Sequence, residues 1–383
     1  MITVAGGTGL VGKSLTQALV GEGEQVRVLT RDPKAARLAL GDAKVEIVGV
    51  DFDDAATLRA AFTGSDEAFM SYGTSDRQVR DEIALIDAAI GADVPYLLNL
   101  SVGGAGGTHP ANVVQWHTEI DAYLATTGVA STVVRPTTFT DAMLKLASNS
   151  VRSGAWGGTA GAGRVALIDS HDVAEVSAVI LSEGPQRHAG KIYDLSGPAA
   201  VTMDEVAGYL SAALGAVVEY HARTEAQQRA VLESAGLPGL LVDVLLGVDA
   251  ITRDNLYAVP SPTVFDLTGH APRSVKDWVD EHVSLFATPA APPRAEAHTI
   301  VIAKGSITRV AALAPHIDEE MRVMRQLKAE GVIKSAYRRS AAPGFYLILE
   351  GTSIDAVRDR VDATLPFVVE NVATLEYDEI YEI

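Results

Sequence analysis

The stretch that decides the fold is Ile2-Thr-Val-Ala-Gly-Gly-Thr-Gly-Leu-Val-Gly12, and the amphipathic segment Ser14 to Val20 follows it. A short apolar run leads into glycines at positions 6, 9 and 12. Glycine lets backbone N–H groups approach a phosphate without a Cβ in the way, and the positive end of the next helix dipole points at the anion. The stretch therefore predicts a strand, a phosphate-binding turn and a helix, as in a dinucleotide-binding domain.

The same glycines fit a second pattern. Residues 7 to 14 spell G-x-x-x-x-G-K-S, which is typical of a nucleoside-triphosphate loop. Such a site also needs an acid after a later apolar strand to hold magnesium, and Val45 to Asp51 is a candidate. The segment Val26 to Pro33 favours the dinucleotide interpretation, because it predicts a second strand that ends in a basic residue about where the adenosine ribose lies.

The end of this second strand also indicates which nicotinamide cofactor is used. An acid there hydrogen-bonds the 2′-hydroxyl of NAD, whereas an arginine accommodates the 2′-phosphate of NADP. Arg31 occupies the position, with Thr30 before it and Lys13 in the glycine turn. The sequence thus predicts that NADP(H) is preferred over NAD(H). The alternative is that Arg31 is a solvated charge and Asp32 caps the next helix.

Composition bounds the protein class. A chain of 383 residues with 48% hydrophobic residues predicts two or three folded units. It has no apolar run of about 18 residues and no basic, then apolar, N-terminal segment, so we expect a cytoplasmic protein without a membrane partner. The absence of cysteine excludes disulfides and thiolate sites, and the net charge of −18 argues against nucleic acid. The nine histidines show no metal-binding spacing, so we expect a small-molecule substrate and no metal.

Apolar strands alternate with helical segments, which predicts an α/β fold with a Rossmann-type, doubly wound parallel sheet. Strands are expected at 2–5, 25–30, 45–50, 67–71, 95–100 and 131–135, and helices at 12–22, 33–40, 55–63, 77–91 and 112–127. Open α/β sheets bind ligands at the carboxyl ends of their strands. The candidate site segments there are Gly6 to Gly12, Arg31, Asp51 with Phe52, Ser71 to Gly73, Ser101 to Gly104 and Arg135 to Phe139.

Residues 1–286 resemble the NmrA-like atypical short-chain dehydrogenases, which include triphenylmethane reductases, NADPH-dependent quinone oxidoreductases and NADPH-sensing regulators. The resemblance rests on a set of short motifs that are specific only together. They are Val4 to Gly12, Arg31-Asp-Pro33, Val50-Asp-Phe-Asp-Asp54, Leu100-Ser101, His117 with Asp121, Val134-Arg-Pro136 and Ile168 to Ala174.

The resemblance implies a set of cofactor-binding residues. Asp51 and Phe52 would lie beside the adenine, and the loops after the fourth and fifth strands would flank the nicotinamide ribose. Asp53 is expected to cap the helix that follows. The full set is Gly6, Thr8, Gly9, Leu10, Val11, Gly12, Arg31, Asp51, Phe52, Ser71, Gly73, Ser101, His117 and Pro136.

The departures from short-chain dehydrogenases matter for mechanism. Valine (Val113) stands where the family's catalytic tyrosine would be, and His117 stands in the position of its lysine. We therefore expect hydride transfer from NADPH to an electron-poor conjugated acceptor, such as a quinone or related polycycle, whose anion needs no strong acid. His117 would hold the ribose or the substrate oxygen and donate a proton, and Asp121, one turn on, would orient it. Ser101 and Tyr72 are further candidates for polar contacts. The alternative for His117 is a partly buried residue bonded to a backbone carbonyl.

Residues 137–286 are expected to build the substrate pocket, through Thr137 to Met143, Trp156 to Gly158 and Ala230 to Asn255. Two function classes stay open: a reductase of a quinone-like or polyketide-type aromatic compound, and a non-catalytic sensor of NADP(H). An open pocket over the nicotinamide favours the enzyme, and a blocked one favours the sensor.

Residues 287–297 are rich in proline and alanine, which predicts a linker, and 298–383 follow the order β-α-β-β-α-β of a ferredoxin-like domain. This last segment resembles the muconolactone isomerase-like branch of the dimeric α/β-barrel families, on Gln326 to Lys334, Gly344 to Glu350 and Leu365 to Phe367. The resemblance implies a homodimer formed through the C-terminal domain. A second small-molecule site, which would make the protein a bifunctional reductase and isomerase, would use His316, Tyr337, Arg338, Tyr346 and Glu350.

Overall fold

The computed structural model describes residues 1–287, 299–340, 342–351 and 353–380. The chain divides into two compact units, Met1–Thr288 and Pro289–Ile383. All of the expected linker except residue 287 lies outside the described residues.

The first unit is built around one large sheet. Its strands are β1 (Ile2–Ala5), β2 (Val26–Thr30), β3 (Val45–Gly49), β4 (Glu67–Met70), β5 (Tyr96–Leu100), β6 (Ala130–Pro136), β7 (Gly157–Gly158), β8 (Ile192–Leu195) and β9 (His221–Ala222). Seven of them pair in parallel in the order β3-β2-β1-β4-β5-β6-β8. The order reverses direction between β1 and β4, which is where a doubly wound sheet opens a ligand crevice.

Helices cover both faces of this sheet, and further helices of the unit pack beside it. They are α1 (Leu10–Gly21), α2 (Pro33–Leu40), α3 (Ala55–Phe62), α4 (Gln78–Gly91), α5 (Asn112–Thr127), α6 (Thr140–Arg152), α7 (Ser170–Glu183), α8 (Pro185–His188), α9 (Met203–Leu214), α10 (Glu225–Ser234), α11 (Gly239–Arg253), α12 (Thr263–Thr268) and α13 (Val275–Glu281). Leu15 of α1 packs with Val176 of α7 on one face, and Phe62 of α3 packs with Leu85 of α4 on the other. The prediction of a doubly wound parallel sheet is confirmed.

The turn between β1 and α1 is packed so closely that two of its positions have no room for a side chain. Gly6 has φ +75°, and a Cβ there would lie 2.8 Å from the carbonyl oxygen of Ser71. A Cβ on Gly12 would lie 2.2 Å from the carbonyl oxygen of Gly6, which itself accepts a hydrogen bond from Gly9 N at 2.8 Å. Only glycine at positions 6 and 12 lets the chain fold back tightly enough to start α1 directly after β1.

Two local expectations were wrong, and one strand was not expected. Asp54, not Asp53, caps α3, because its side chain accepts hydrogen bonds from the N–H groups of residues 56 and 57. The sheet has a further parallel strand, β8, that the sequence did not reveal, since it is a short edge strand with exposed Ile192. Trp156 is buried in the core formed by α6, α9 and α11, where its ring packs edge-on against Tyr220. It does not line either of the clefts described below.

The second unit contains β10 (Thr299–Ile307), α14 (Ile317–Ala329), β11 (Ile333–Arg338), β12 (Gly344–Gly351), α15 (Ile354–Asp362), α16 (Pro366–Val369) and β13 (Ala373–Ile380). Its four strands form an antiparallel sheet in the order β11-β12-β10-β13. Val301 and Leu347 on one face of this sheet are buried against Leu327 and Val361 of the helices. No helix within the described ranges is long and apolar enough to cross a membrane.

Candidate active site

The carboxyl ends of β1, β2 and β4 surround a cleft of about 620 Å³, which we call the cofactor cleft. Its walls come from the glycine turn, from the residues after β2 and from the loop after β4. Of the residues predicted to bind the cofactor, it is lined by Gly6, Thr8, Gly9, Leu10, Val11, Arg31, Phe52, Ser71 and Gly73.

Two residues of the predicted cofactor set line neither this cleft nor its neighbour. Gly12 lines neither cleft and instead packs closely against Gly6, so that it shapes the turn. Asp51 is exposed, and its carboxylate accepts a hydrogen bond from the N–H of Asp53 at 2.9 Å. The expected place of Asp51 beside the adenine is therefore not supported by the lining of the cleft.

The cleft has the features of an anion site. Gly9 is the N-cap of helix α1, and no side chain of the described part of the protein caps its first N–H groups. Arg31 is exposed at the rim, while Asp32 behind it caps α2 by accepting from residues 34 and 35 at 3.0 Å. Asp32 is therefore the helix cap that the alternative predicted, and Arg31 lines the cleft at a position from which it could meet an anion. The residues present thus fit a dinucleotide with a 2′-phosphate.

A second cleft of about 400 Å³ adjoins the first, and we call it the apolar cleft. Five residues line both clefts: Ser71, Tyr72, Thr74, Leu100 and Phe139. The walls of the apolar cleft are mostly apolar side chains, among them Val113, Ala142, Met143, Leu241, Val244, Leu245 and Val248. The expectation that residues 137–143 and part of 230–255 line a pocket agrees with this arrangement.

The polar residues that line the apolar cleft are Ser71, Tyr72, Thr74, Gln78, Ser101, His117, Thr137, Thr138 and Tyr257. The Tyr257 hydroxyl donates to the carbonyl oxygen of Gly103 at 2.7 Å and so pins the loop after β5. The Tyr72 hydroxyl donates to Asp81 at 2.6 Å, and its ring packs edge-on against Phe52. The Tyr72 ring therefore forms part of the junction between the two clefts, while its hydroxyl is already occupied.

Asp121 does not orient His117. Its carboxylate lies between β5 and β6, where it accepts from Ser101 Oγ at 2.8 Å and from Asn99 at 3.3 Å, and pairs with Arg135 at 2.9 Å. Burial raises its pKa, and the bonds from Ser101 and Arg135 oppose that rise. Asp121 thus ties α5 to two strand ends and holds the Ser101 hydroxyl in place, so the expected contact with His117 is wrong in this arrangement.

His117 is instead bonded to α4. Its Nε2 lies 3.0 Å from the side-chain nitrogen of Gln78, which also donates to Glu82 at 2.9 Å. Burial lowers the pKa of His117 to about 4 and raises the pKa of Glu82 to about 8. The ring is therefore neutral near pH 7, so it can donate a hydrogen bond but does not carry the positive charge that a strong acid would need.

Gln78 and Glu82 were missed by the sequence analysis. Their spacing of four residues on a predicted helix was visible, but nothing in it indicated that they meet His117 of another helix. No group of three or more acidic or histidine side chains in the described segments could hold a metal ion.

The fold and the two clefts define a class, a doubly wound α/β protein with a dinucleotide cleft that opens into an apolar pocket. A family model described as "NmrA-like family" matches residues 1–238, and the chain belongs to that family. The resemblance drawn from the sequence motifs is thereby confirmed for the first unit.

Three similar proteins align with this chain over almost their full length, but the alignments span only about three quarters of this chain. The NAD(P)H azoreductase of Xenophilus azovorans is 30% identical, over 75% of this chain and 99% of its own. The structure of an NADPH-dependent quinone oxidoreductase from Escherichia coli, complexed with NADPH, has a TM-score of 0.67 at 29% identity, over 74% of this chain and 99% of its own. Triphenylmethane reductase of Citrobacter sp. shares the fold, with a TM-score of 0.67 at 23% identity over 73% and 99%.

Proposed function

We propose that this protein is an NADPH-dependent reductase that transfers hydride to a quinone-like or polycyclic conjugated acceptor. Its class is NAD(P)H-dependent oxidoreductase, the class that the names of its relatives share. The observation that supports an aromatic acceptor is the apolar cleft, which adjoins the cofactor cleft at Tyr72 and Phe139. A flat aromatic molecule suits such walls, because apolar burial drives its binding and few polar groups compete for it.

The cofactor we propose is NADP(H), in keeping with the NADPH complex of the Escherichia coli quinone oxidoreductase. When bound, NADPH supplies the hydride from its nicotinamide ring. The N–H groups at the start of α1 would hold the pyrophosphate, and Arg31 would pair with the 2′-phosphate. Pro136, Ser101 and His117, which line the apolar cleft, would flank the nicotinamide end.

The residues of the apolar cleft would then position the acceptor. Hydride addition to a quinone leaves negative charge on oxygen, and a donor held at that oxygen stabilises it. His117 would supply this donor while neutral, and Asp121 would act only by holding Ser101 and Arg135. Because the conjugated anion is itself stabilised, a neutral hydrogen-bond donor suffices. The proton that converts the anion into the reduced product then comes from water.

The test is NADPH consumption by the purified protein against quinones and polycyclic enones, with wild type and His117→Ala. We expect turnover that falls in the variant while NADPH binding persists. A His270→Ala variant is the control, since His270 is an exposed histidine that lines neither cleft. Tight NADPH binding without oxidation of any acceptor would overturn the reductase and support the sensor, which the open apolar cleft disfavours.

For the second unit we propose a ferredoxin-like domain of the dimeric α/β-barrel type, spanning 298–383 after a linker at 287–297, that pairs with a second copy. Ile302 faces Ile348 across β10 and β12, on the sheet face opposite the buried Val301 and Leu347. Tyr346 pairs with Tyr337 on that same face, and both are well exposed. We favour homodimerisation over a second active site there, because these residues suit an interface and Glu350 is engaged by Lys334.

A further inference from the structure

Three polar side chains form a continuous line behind the apolar cleft: Glu82, Gln78 and His117. Gln78 and Glu82 are one turn apart on α4, and only 4% and 1% of their surfaces are exposed. The Gln78 amide nitrogen lies 2.9 Å from Glu82 Oε1 and 3.0 Å from His117 Nε2. Such a buried line needs an explanation, because each polar group removed from water costs free energy unless it is bonded.

The chemistry of the amide decides which nitrogen of His117 carries hydrogen. The side-chain nitrogen of Gln78 has two hydrogens and no lone pair to offer. One hydrogen goes to the Glu82 carboxyl oxygen, and the other points at His117 Nε2. Nε2 must then accept, and the single hydrogen of the neutral ring lies on Nδ1.

Nδ1 is the nitrogen left without a partner. It is buried and bonds to no other group in the part of the chain that the structure describes. Gln78 Oε1 and Glu82 Oε2 are likewise buried and without a partner among the described residues. Buried hydrogen-bonding groups in this state are rare in folded proteins and call for an explanation, of which a role in catalysis is one. His117 is also among the residues that line the apolar cleft, and it is the one histidine there.

We propose that Glu82 and Gln78 are positioning residues that hold His117 as the neutral Nδ1–H tautomer. Because Nδ1 is buried in this structure, the proposal includes a small shift of the ring or of the groups that cover it when an acceptor binds, which brings a hydrogen-bond donor to the acceptor's carbonyl oxygen. That the bound oxygen belongs to a quinone-like acceptor rests on the proposed function. The tautomer is inferred only from the contacts of Gln78 with Glu82 and His117. Ser101 and Asp121 play no part in it, because they bond to each other and Asp121 also pairs with Arg135.

Glu82 serves in either protonation state. Burial, with Asp121 adding to it, favours the neutral carboxyl. A neutral carboxyl keeps a carbonyl oxygen that accepts from Gln78, and a carboxylate accepts more strongly. The donation from Gln78 to Glu82 Oε1 is therefore compatible with both protonation states of Glu82.

The first test reads the tautomer directly, by two-bond ¹H–¹⁵N correlation spectra of the full chain labelled in histidine. A His117→Gln sample assigns the His117 signals among the nine histidines. We expect hydrogen on Nδ1 in wild type and in Glu82→Gln, which keeps a carbonyl oxygen, and mixed tautomers in Glu82→Leu. Hydrogen on Nε2 in wild type, or an unchanged tautomer in Glu82→Leu, would overturn the proposal.

A second test separates positioning from folding. In Glu82→Leu we expect kcat to fall by about tenfold, the cost of one net hydrogen bond, with the Kd of NADPH unchanged and with Glu82→Gln close to wild type. If Glu82→Leu does not fold, Gln78→Leu breaks the same line from the middle and must give mixed tautomers. If wild type reduces no acceptor, the proposed function fails while the tautomer spectrum still decides this inference.

Discussion

Glu82 is a residue whose burial should be measurable as a dependence of stability on pH. Its pKa is raised from 4.5 to about 8 by burial, so between these values the folded protein holds a proton that the unfolded chain releases. The folded state is then penalised as pH rises from 4.5 to 8. In Glu82→Gln this penalty is removed, so we expect the variant to gain stability relative to wild type by up to about 1.4 kcal/mol for each pH unit in that window.

The measurement is urea unfolding of both proteins at several pH values. The difference in the free energy of unfolding should be near its smallest at pH 4.5 and level off above pH 8. Glu119→Gln, an exposed position on α5, serves as a control that removes a carboxylate without removing a buried one. A difference between Glu82→Gln and wild type that stays flat with pH would contradict the burial argument.

Arg31 carries a second prediction at the scale of one residue. Arg31→Ala should weaken NADPH binding by about tenfold or more, because a charge-assisted bond to the 2′-phosphate contributes roughly 1.5 to 3 kcal/mol. NADH lacks that phosphate, so its Kd should hardly change. Fluorescence titration of both cofactors measures this, and Lys34→Ala, a nearby basic residue on α2, is the control. Equal losses for NADPH and NADH would show that Arg31 does not contact the phosphate.

The sequence indicated which residues line the clefts better than it indicated which side chains bond to each other there. Arg31 and Phe52 could be placed from the sequence because they sit at fixed points of a strand and turn. The partners of His117 could not, since Asp121 is one turn away on the same helix yet bonds β5 and β6 instead. Which side chain of α4 meets α5 depends on helix packing, which sequence spacing does not specify.

At the scale of elements, the junction of β1 and α1 makes a sharp prediction. Gly12→Ala should destabilise the first unit and weaken NADPH binding, because the new Cβ would lie 2.2 Å from the carbonyl oxygen of Gly6 and the turn must open. Gly21→Ala in the same helix is the matched control, since nothing lies within 4 Å of its Cβ. It should be neutral or stabilising, as alanine favours helix over glycine by up to about 1 kcal/mol. Thermal unfolding with and without NADPH compares the two, and equal behaviour would refute the steric argument.

The same scale explains which elements the sequence revealed. β1, β4 and β5 are buried on both faces, so they read as continuous apolar runs between helical segments. β8 has only Leu195 fully buried among its four residues and therefore lacks that signal. Trp156 looked like a pocket residue, but its edge-on partner Tyr220 lies 64 positions later, and such long-range packing is invisible in a local pattern.

At the scale of the whole molecule, the proposed dimer forms through the second unit, whereas the clefts lie in the first. We therefore expect that a variant can lose the dimer and still reduce its acceptor. Ile302→Lys places a charge on the sheet face that we propose to be the interface, so burial of that face becomes costly and the dimer should dissociate. Met321→Lys is the matched control, because it replaces an exposed apolar residue of α14 on the helix side. Sedimentation velocity of the full chain should give a dimer for wild type and Met321→Lys, and a monomer for Ile302→Lys.

Turnover with NADPH should be the same in all three proteins, since every residue that lines the cofactor cleft and the apolar cleft belongs to the first unit. A wild-type monomer, or a dimer that survives Ile302→Lys, would remove the argument for pairing through this sheet. Loss of turnover on dissociation would mean instead that the partner copy completes the site, and would move the role of the second unit from assembly to catalysis.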